Sequence, residues 1–136
     1  MNEELIKYKT AVLAKKKGFN FIVKNYYYPE AYNTTKPIIY DQDIIENLNS
    51  HSSNAYYTAP TQSLLQRWLR EVHDIHIKIE FLFEENKYYF SIYQSDADKI
   101  KFELYCLEAN IEDYVIYNTY EEALEDALYN TLNLIK

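Results

Sequence analysis

The sequence predicts an α+β domain of two layers, an antiparallel β-meander packed against about three helices. Three observations lead there. Pro60 to His73 reads as a helix with a sharp start and one apolar stripe, and it runs straight into a strand at Ile75. Between 75 and 117, apolar and polar side chains alternate in short runs separated by polar turns, the pattern of antiparallel strands with one buried face. Thr119-Tyr120-Glu121-Glu122 then opens a closing helix as a capping box. A chain of 136 residues fits a single domain, 1–136, large enough to bury a core without staples.

Each element has its own warrant. Residues 3–17 place Leu5, Tyr8, Ala11 and Val12 on one face of an amphipathic helix. Lys15-Lys16-Lys17 followed by Gly18 ends it, with cations at the negative end of the dipole and then a residue free to turn left-handed. The lysine run is therefore a helix terminus before it is a nucleic-acid contact. Phe19 to Tyr28 is rich in β-formers and contains a strand. Residues 29–58 are an irregular connecting region, with turn chemistry at Pro29, Pro37 and 47–54. Within it, Ile38-Ile39-Tyr40 is a short strand and Gln42 to Leu48 a short helix. A connection this long is unusual in a compact domain.

The central helix starts where Ala59, preceding a proline, is kept out of the helical region. Pro60 fits the first helical position, which puts Gln62 at the third, within reach of a free backbone donor. Leu64, Leu65, Trp68, Leu69 and Val72 form the apolar stripe, while Gln62, Gln66, Arg70 and His73 follow its flank. Ile75, Ile77, Ile79, Phe81 and Phe83 then alternate with polar residues as a strand. A turn at 84–87 and a return from Tyr88 to Tyr93 make a hairpin. Ile100, Phe102, Leu104 and Cys106 mark a third strand, and Tyr114 to Tyr117 a fourth. The outward face of this sheet carries His76, Lys78, Glu80, Tyr89, Ser91, Tyr93, Lys101, Glu103 and Tyr105. The closing helix buries Tyr120, Leu124, Ala127, Leu128, Thr131 and Ile135, leaving its acids to caps and a solvated face.

Composition narrows the function classes. One Cys excludes an internal disulfide framework, and no Cys/His spacing suits zinc, so Cys106 reads as a small core side chain. No apolar stretch approaches the ~20 residues of a membrane span. With no apolar leader segment either, the expectation is a cytoplasmic protein with no membrane partner. The net charge of −7 is uneven: residues 1–36 carry +4, 37–100 carry −5 and 101–136 carry −6. That balance opposes general affinity for a phosphate backbone. The 16 Tyr against one Gly admit two readings. Coding bias enriches them, or some form a contact surface of rigid amphipathic rings.

No motif carries chemistry by itself. A single Gly excludes a glycine-rich phosphate loop, and there is no nucleophile elbow or Cys/His signature. No catalytic residue, metal ligand or cofactor is assigned, so enzymatic activity has no support. Arg67, Arg70, His73, Asp74 and His76 form the densest polar cluster, but His73 falls at a helix end and His76 on a strand. A cation at a helix C-terminus is the simpler role for His73. The outer sheet face is the stronger binding candidate, through Tyr89, Tyr93 and Tyr105 with Lys78 and Lys101, together with Gln66, Arg70, His73 and His76 on the helix flank and strand. Tyr interleaved with Lys on an open sheet is how single-strand platforms stack bases. Glu80 and Glu103 on that face favour protein contact instead.

Ala59 to His73 and Ile75-His76-Ile77, with Thr10 to Phe19 and Tyr117-Asn118-Thr119-Tyr120-Glu121-Glu122-Ala123-Leu124-Glu125, resemble segments of an uncharacterised family of small Bacteroidales and phage proteins. The resemblance spans most of the chain, 29–58 least, and implies a phage or prophage setting but no catalytic residues. The expectation is a non-enzymatic phage or mobile-element accessory protein acting by protein–protein interaction and self-association as a homo-oligomer, virion-associated or engaged in host takeover. The alternatives are a single-stranded nucleic-acid binder using the Tyr/Lys face, and a small-ligand binder or enzyme near Arg67, Arg70, His73 and His76.

Overall fold

Alternation from Ile75 onward, with a turn of Phe83, Glu84, Glu85 and Asn86, builds the longest sheet element: β4 (Ile75–Leu82) paired antiparallel with β5 (Lys87–Gln94). Asn86 takes the left-handed conformation the turn needs, with φ of 54°. The computed structural model describes residues 3–27, 38–39, 56–94 and 115–135. Before the hairpin come α1 (Tyr8–Lys16), β1 (Asn25–Tyr27), β2 (Ile38–Ile39), β3 (Tyr57–Thr58) and α2 (Gln62–His73); after it comes α3 (Tyr120–Leu134). The protein is thus α+β, with three helices and two small antiparallel sheets among the described residues. In the smaller sheet β1 lies between β2 and β3. Of the short strand expected at 38–40, Ile38 and Ile39 form β2 and Tyr40 lies outside the described residues, while β3 falls at a point of the connecting region where the sequence shows no strand signal.

Of the expected meander, the hairpin is present, and Tyr117 bridges Tyr88 through reciprocal backbone bonds of 2.9 and 2.8 Å. The strand expected at 100–106, Tyr114 and the helix expected at 42–48 lie outside the described residues. Helix α3 packs on both hairpin strands, and α2 packs on β4. Their shared core contains Leu65, Trp68, Leu69, Ile75, Ile77, Phe90, Ile92, Leu124, Leu128 and Leu132. Phe19 meets the Trp68 ring edge-on at 5.4 Å, and the indole N–H donates to Asn20 Oδ1 at 3.2 Å. An apolar ring with one polar edge is buried here because that edge finds an acceptor.

The first helix is shorter than its periodicity suggests. Residues 3–7 are extended, and Leu5 forms a β-bridge with Thr61 instead of entering α1. Lys7 is the N-cap and supplies no side-chain cap. The missing cap comes from α3: Glu125 Oε1 accepts from the Lys7 N–H at 2.6 Å and from the Thr10 hydroxyl at 2.8 Å. The C-terminal end behaves as read, with Gly18 at φ of 93°. Lys15 donates to Tyr56 O at 2.8 Å, and Lys17 to Ile135 O, so the lysine run joins α1 to neighbouring segments.

Helix α2 also starts later than expected. Thr61 is its N-cap, accepting from the Leu64 N–H at 3.2 Å, so Gln62 is the first helical residue and Pro60 precedes the cap. Gln62 caps nothing in its own helix. Its side-chain amide donates to Glu121 O at 3.0 Å and to Glu125 Oε2 at 3.1 Å. Val72, expected in the stripe, is exposed, and so is Tyr120 in α3. In α3 the Thr119 hydroxyl accepts from the Glu122 N–H at 3.1 Å as a capping box requires. The Glu122 carboxylate, however, takes the N–H of Asn118.

Glu125 is therefore buried, at 5% exposure, and joins all three helices. The solvated face expected for the C-terminal acids does not hold at this position. Tyr27 closes the same region by donating to Ile6 O at 2.6 Å. Burial, and then the nearby Glu125 carboxylate, push its phenol up to about 12. Glu125→Ala would leave an amide N–H, a hydroxyl and a carboxamide hydrogen without this acceptor. It should lower unfolding free energy by about 3 to 5 kcal/mol. Glu125→Gln keeps one acceptor oxygen and should cost about 1 to 2 kcal/mol. Urea midpoints of the two variants check this ordering.

Candidate functional site

The flank of α2 divides into structural and solvent-facing groups. Gln66 Nε2 donates to Ile77 O at 3.0 Å and so ties α2 to β4. Arg70 is exposed. Arg67, one turn earlier, forms an exposed ion pair with Glu71 at 2.7 Å, which raises its pKa further. Asp74 ends the helix in the left-handed region, with φ of 55°, and the chain enters β4 at once. That abrupt reversal separates the two histidines. The His73 ring lies edge-on to Trp68 at 4.7 Å, with Nε2 buried and without a hydrogen-bond partner. His76 points outward and meets Asp74 Oδ1 at 3.0 Å. Among the described residues no three His, Cys, Asp or Glu side chains are grouped to hold a metal.

His73 lies in the last turn of α2, where a cation would be favoured. Burial acts against that charge and lowers its pKa from the ordinary 6.5. The unfolded chain therefore takes up this proton first. The stability contributed by neutral His73 is complete above the unfolded value and is lost as pH falls through the lower folded value. Denaturation between pH 7 and about 5.5 should show wild type losing stability relative to His73→Leu, whose site cannot titrate. Parallel curves would refute the assignment.

On the hairpin's outer face the register sets His76 opposite Tyr93, Lys78 opposite Ser91 and Glu80 opposite Tyr89. Lys78 and Tyr89, both expected on this face, each bond to Glu80 between them. Lys78 Nζ lies 2.8 Å from Glu80 Oε1, and the Tyr89 hydroxyl donates to Glu80 Oε2. The bond from Lys78, then that from Tyr89, lowers the Glu80 pKa, while Glu80 raises that of Lys78. Ser91 is buried and Tyr89 and Tyr93 are half-buried, so the centre of the face is not an open platform. Tyr105 and Lys101 lie outside the described residues. Glu80 thus sets a negative charge beside Lys78, which offsets its attraction for a phosphate.

The most exposed apolar surface lies elsewhere, on the opposite face at the hairpin's far end. Burial decays along β4 and into the turn: Ile75 is 2% exposed, Ile77 8%, Phe81 45% and Phe83 86%. Phe83 packs edge-on against Phe81 at 6.2 Å, Phe81 against Tyr88 at 5.1 Å, and Tyr88 edge-on against Tyr120 at 6.2 Å. Val115 and Ile116, just before the Tyr117 bridge, are also exposed. Alternation alone assigned Phe81 and Phe83 to the core. The missed signal was length, because eight strand residues continue past the helices that cover their start.

Two clefts flank α3. One, of about 330 Å³, is lined by Glu3, Glu4, Gln62, Ser63, Tyr120, Glu121 and Leu124. Tyr120 thus belongs both to this cleft and to the aromatic row. The other, of about 280 Å³, is lined by Lys7, Lys9, Tyr117, Glu122, Glu125 and Asp126. Its polar groups are largely engaged: Tyr117 donates to Asp126, Glu125 caps α1, and Lys9 sits over the Tyr129 ring at 4.5 Å. No described helix is long and apolar enough to cross a membrane. No protein-family model, curated protein or solved structure matches the chain.

Proposed function

We propose that the protein is a non-enzymatic accessory protein of phage or mobile-element origin that works by protein–protein contact. The observation that carries the contact role is the row of Phe83, Phe81, Tyr88 and Tyr120, with Val115 and Ile116 beside it. Contiguous exposed apolar surface of this kind marks interaction sites more often than isolated exposed residues do. Aromatic rings supply much of the energy of protein interfaces at small entropic cost. The phage setting follows from the resemblance of the helix–strand and C-terminal segments, and self-association or virion association belongs to the same reading.

The row contributes little to folding at its outer end. Phe83→Ser should therefore change unfolding free energy by no more than about 0.5 kcal/mol. A photo-crosslinking phenylalanine analogue at position 83 should give protein adducts on irradiation in host cells. The same analogue at Val72, exposed on another surface, serves as the reference. Adducts no more abundant at 83 than at 72 would overturn the contact role. Light scattering of wild type and Phe83→Ser then separates a self-contact from a second protein.

A further inference from the structure

We infer that the partner at the hairpin tip presents a basic, apolar polypeptide segment. Its apolar side chains cover Phe81 and Phe83, and a Lys or Arg side chain enters the cleft beside Tyr120. The inference rests on the protein-contact role proposed above and specifies the chemistry of the other side.

Tyr120 is the joint between the two surfaces. Its ring meets Tyr88 at the end of the aromatic row and also forms a wall of the 330 Å³ cleft. The charged residues lining that cleft are all acidic: Glu3, Glu4 and Glu121. Ser63 donates to Glu3 Oε2 at 3.1 Å. Among the described residues, the Glu4 and Glu121 side chains have no hydrogen bond or ion pair. Position in the first turn of α3 favours the Glu121 charge, but Glu3 and Glu4 lie in an extended segment with no dipole to answer. Glu84 and Glu85 add exposed acids at the turn, and Lys87 beside them is bonded to Asn118.

A segment docking here meets apolar rings flanked by carboxylates. An aliphatic stem on the rings with a cationic head among carboxylates satisfies both, and an aromatic face adds attraction for the cation. An acidic segment or a nucleic-acid strand would meet like charge. A second copy is the poorer fit, because it carries a net charge of −7 and two of the three lysines in its lysine run, Lys15 and Lys17, already donate to backbone carbonyls.

The test uses the full chain and three labelled synthetic peptides of equal length. In each, Leu and Phe alternate with Arg, with Ser or with Glu; a labelled oligothymidine is the fourth probe. Fluorescence anisotropy should show the Arg peptide binding about tenfold or more tightly than the Ser peptide at low salt, with the advantage shrinking as salt rises. Glu4→Gln with Glu121→Gln should remove that advantage. Glu71→Gln with Asp74→Asn makes the same change in charge elsewhere and should preserve it. Equal affinity for Arg and Ser peptides, equal loss in both double variants, or tighter binding of the oligonucleotide would overturn the inference. If Ser and Arg peptides bind alike and Phe83→Ser weakens both, the basic partner is refuted while protein contact stands. If no peptide binds and position 83 gives no adduct above the Val72 reference, both fall.

Discussion

The buried Glu125 carboxylate is the constraint on which the arrangement of helices depends. It projects from the middle of α3, accepts from the first turn of α1 and receives the side chain of the first residue of α2. A buried acid is tolerated when its oxygens are satisfied, and three described donors approach this one. The geometry also explains why α1 does not begin as an isolated helix would, whereas α2 keeps its own cap at Thr61. Helix α1 lacks a side-chain cap of its own because one arrives from α3. The side chain of Gln62 is diverted from its own helix for the same reason. At α1 local capping has been replaced by a tertiary bond, which ties formation of that helix to its packing against α3.

Around that point the backbone supplies further ties. Ile6 N–H donates to Pro60 O at 3.0 Å, and Gln62 N–H to Glu4 O at 2.9 Å. The N-terminal segment is thereby laced to the start of α2 as an extended strip, and Leu5 lies in a bridge where periodicity placed a helix. Tyr27 and Tyr8 pack on this strip with rings 5.6 Å apart and nearly perpendicular. Part of the tyrosine excess is therefore architecture. Rings that fill space and also reach a backbone acceptor suit a sheet too short to bury a core of aliphatic residues.

What could be read from the sequence follows from how local each cause is. The α2 stripe of Leu65, Trp68 and Leu69, the hairpin, the cap at Thr119 and the stop at Gly18 are set by neighbours in sequence, and all are present. The start of α1, the position of Gln62 and the burial of Glu125 depend on contacts between residues more than fifty positions apart, which periodicity does not encode. The candidate site divides in the same way. Alternation correctly put His76, Lys78, Glu80, Tyr89 and Tyr93 on one face, yet it could not show that Glu80 takes up both Lys78 and Tyr89. Nor could it show where the covering helices stop, and that boundary turns Phe81 and Phe83 from core into surface.

The acids near the hairpin tip have a simpler explanation that must be weighed against docking. Charges beside an exposed apolar strand end suppress edge-to-edge aggregation. Glu84 and Glu85 fit that role fully, since they adjoin Phe83 in the turn and share its exposure. Glu3 and Glu4 do not. They are about eighty residues away in sequence, and they reach the neighbourhood only because the N-terminal strip is bonded to α2 and α2 to α3. A gatekeeping charge works by interrupting the segment it protects, during folding as well as after it. Charges that arrive only when the domain is complete cannot do so. They shape the surface of the folded state, and there they place carboxylates around a cleft that opens beside the last ring of the aromatic row.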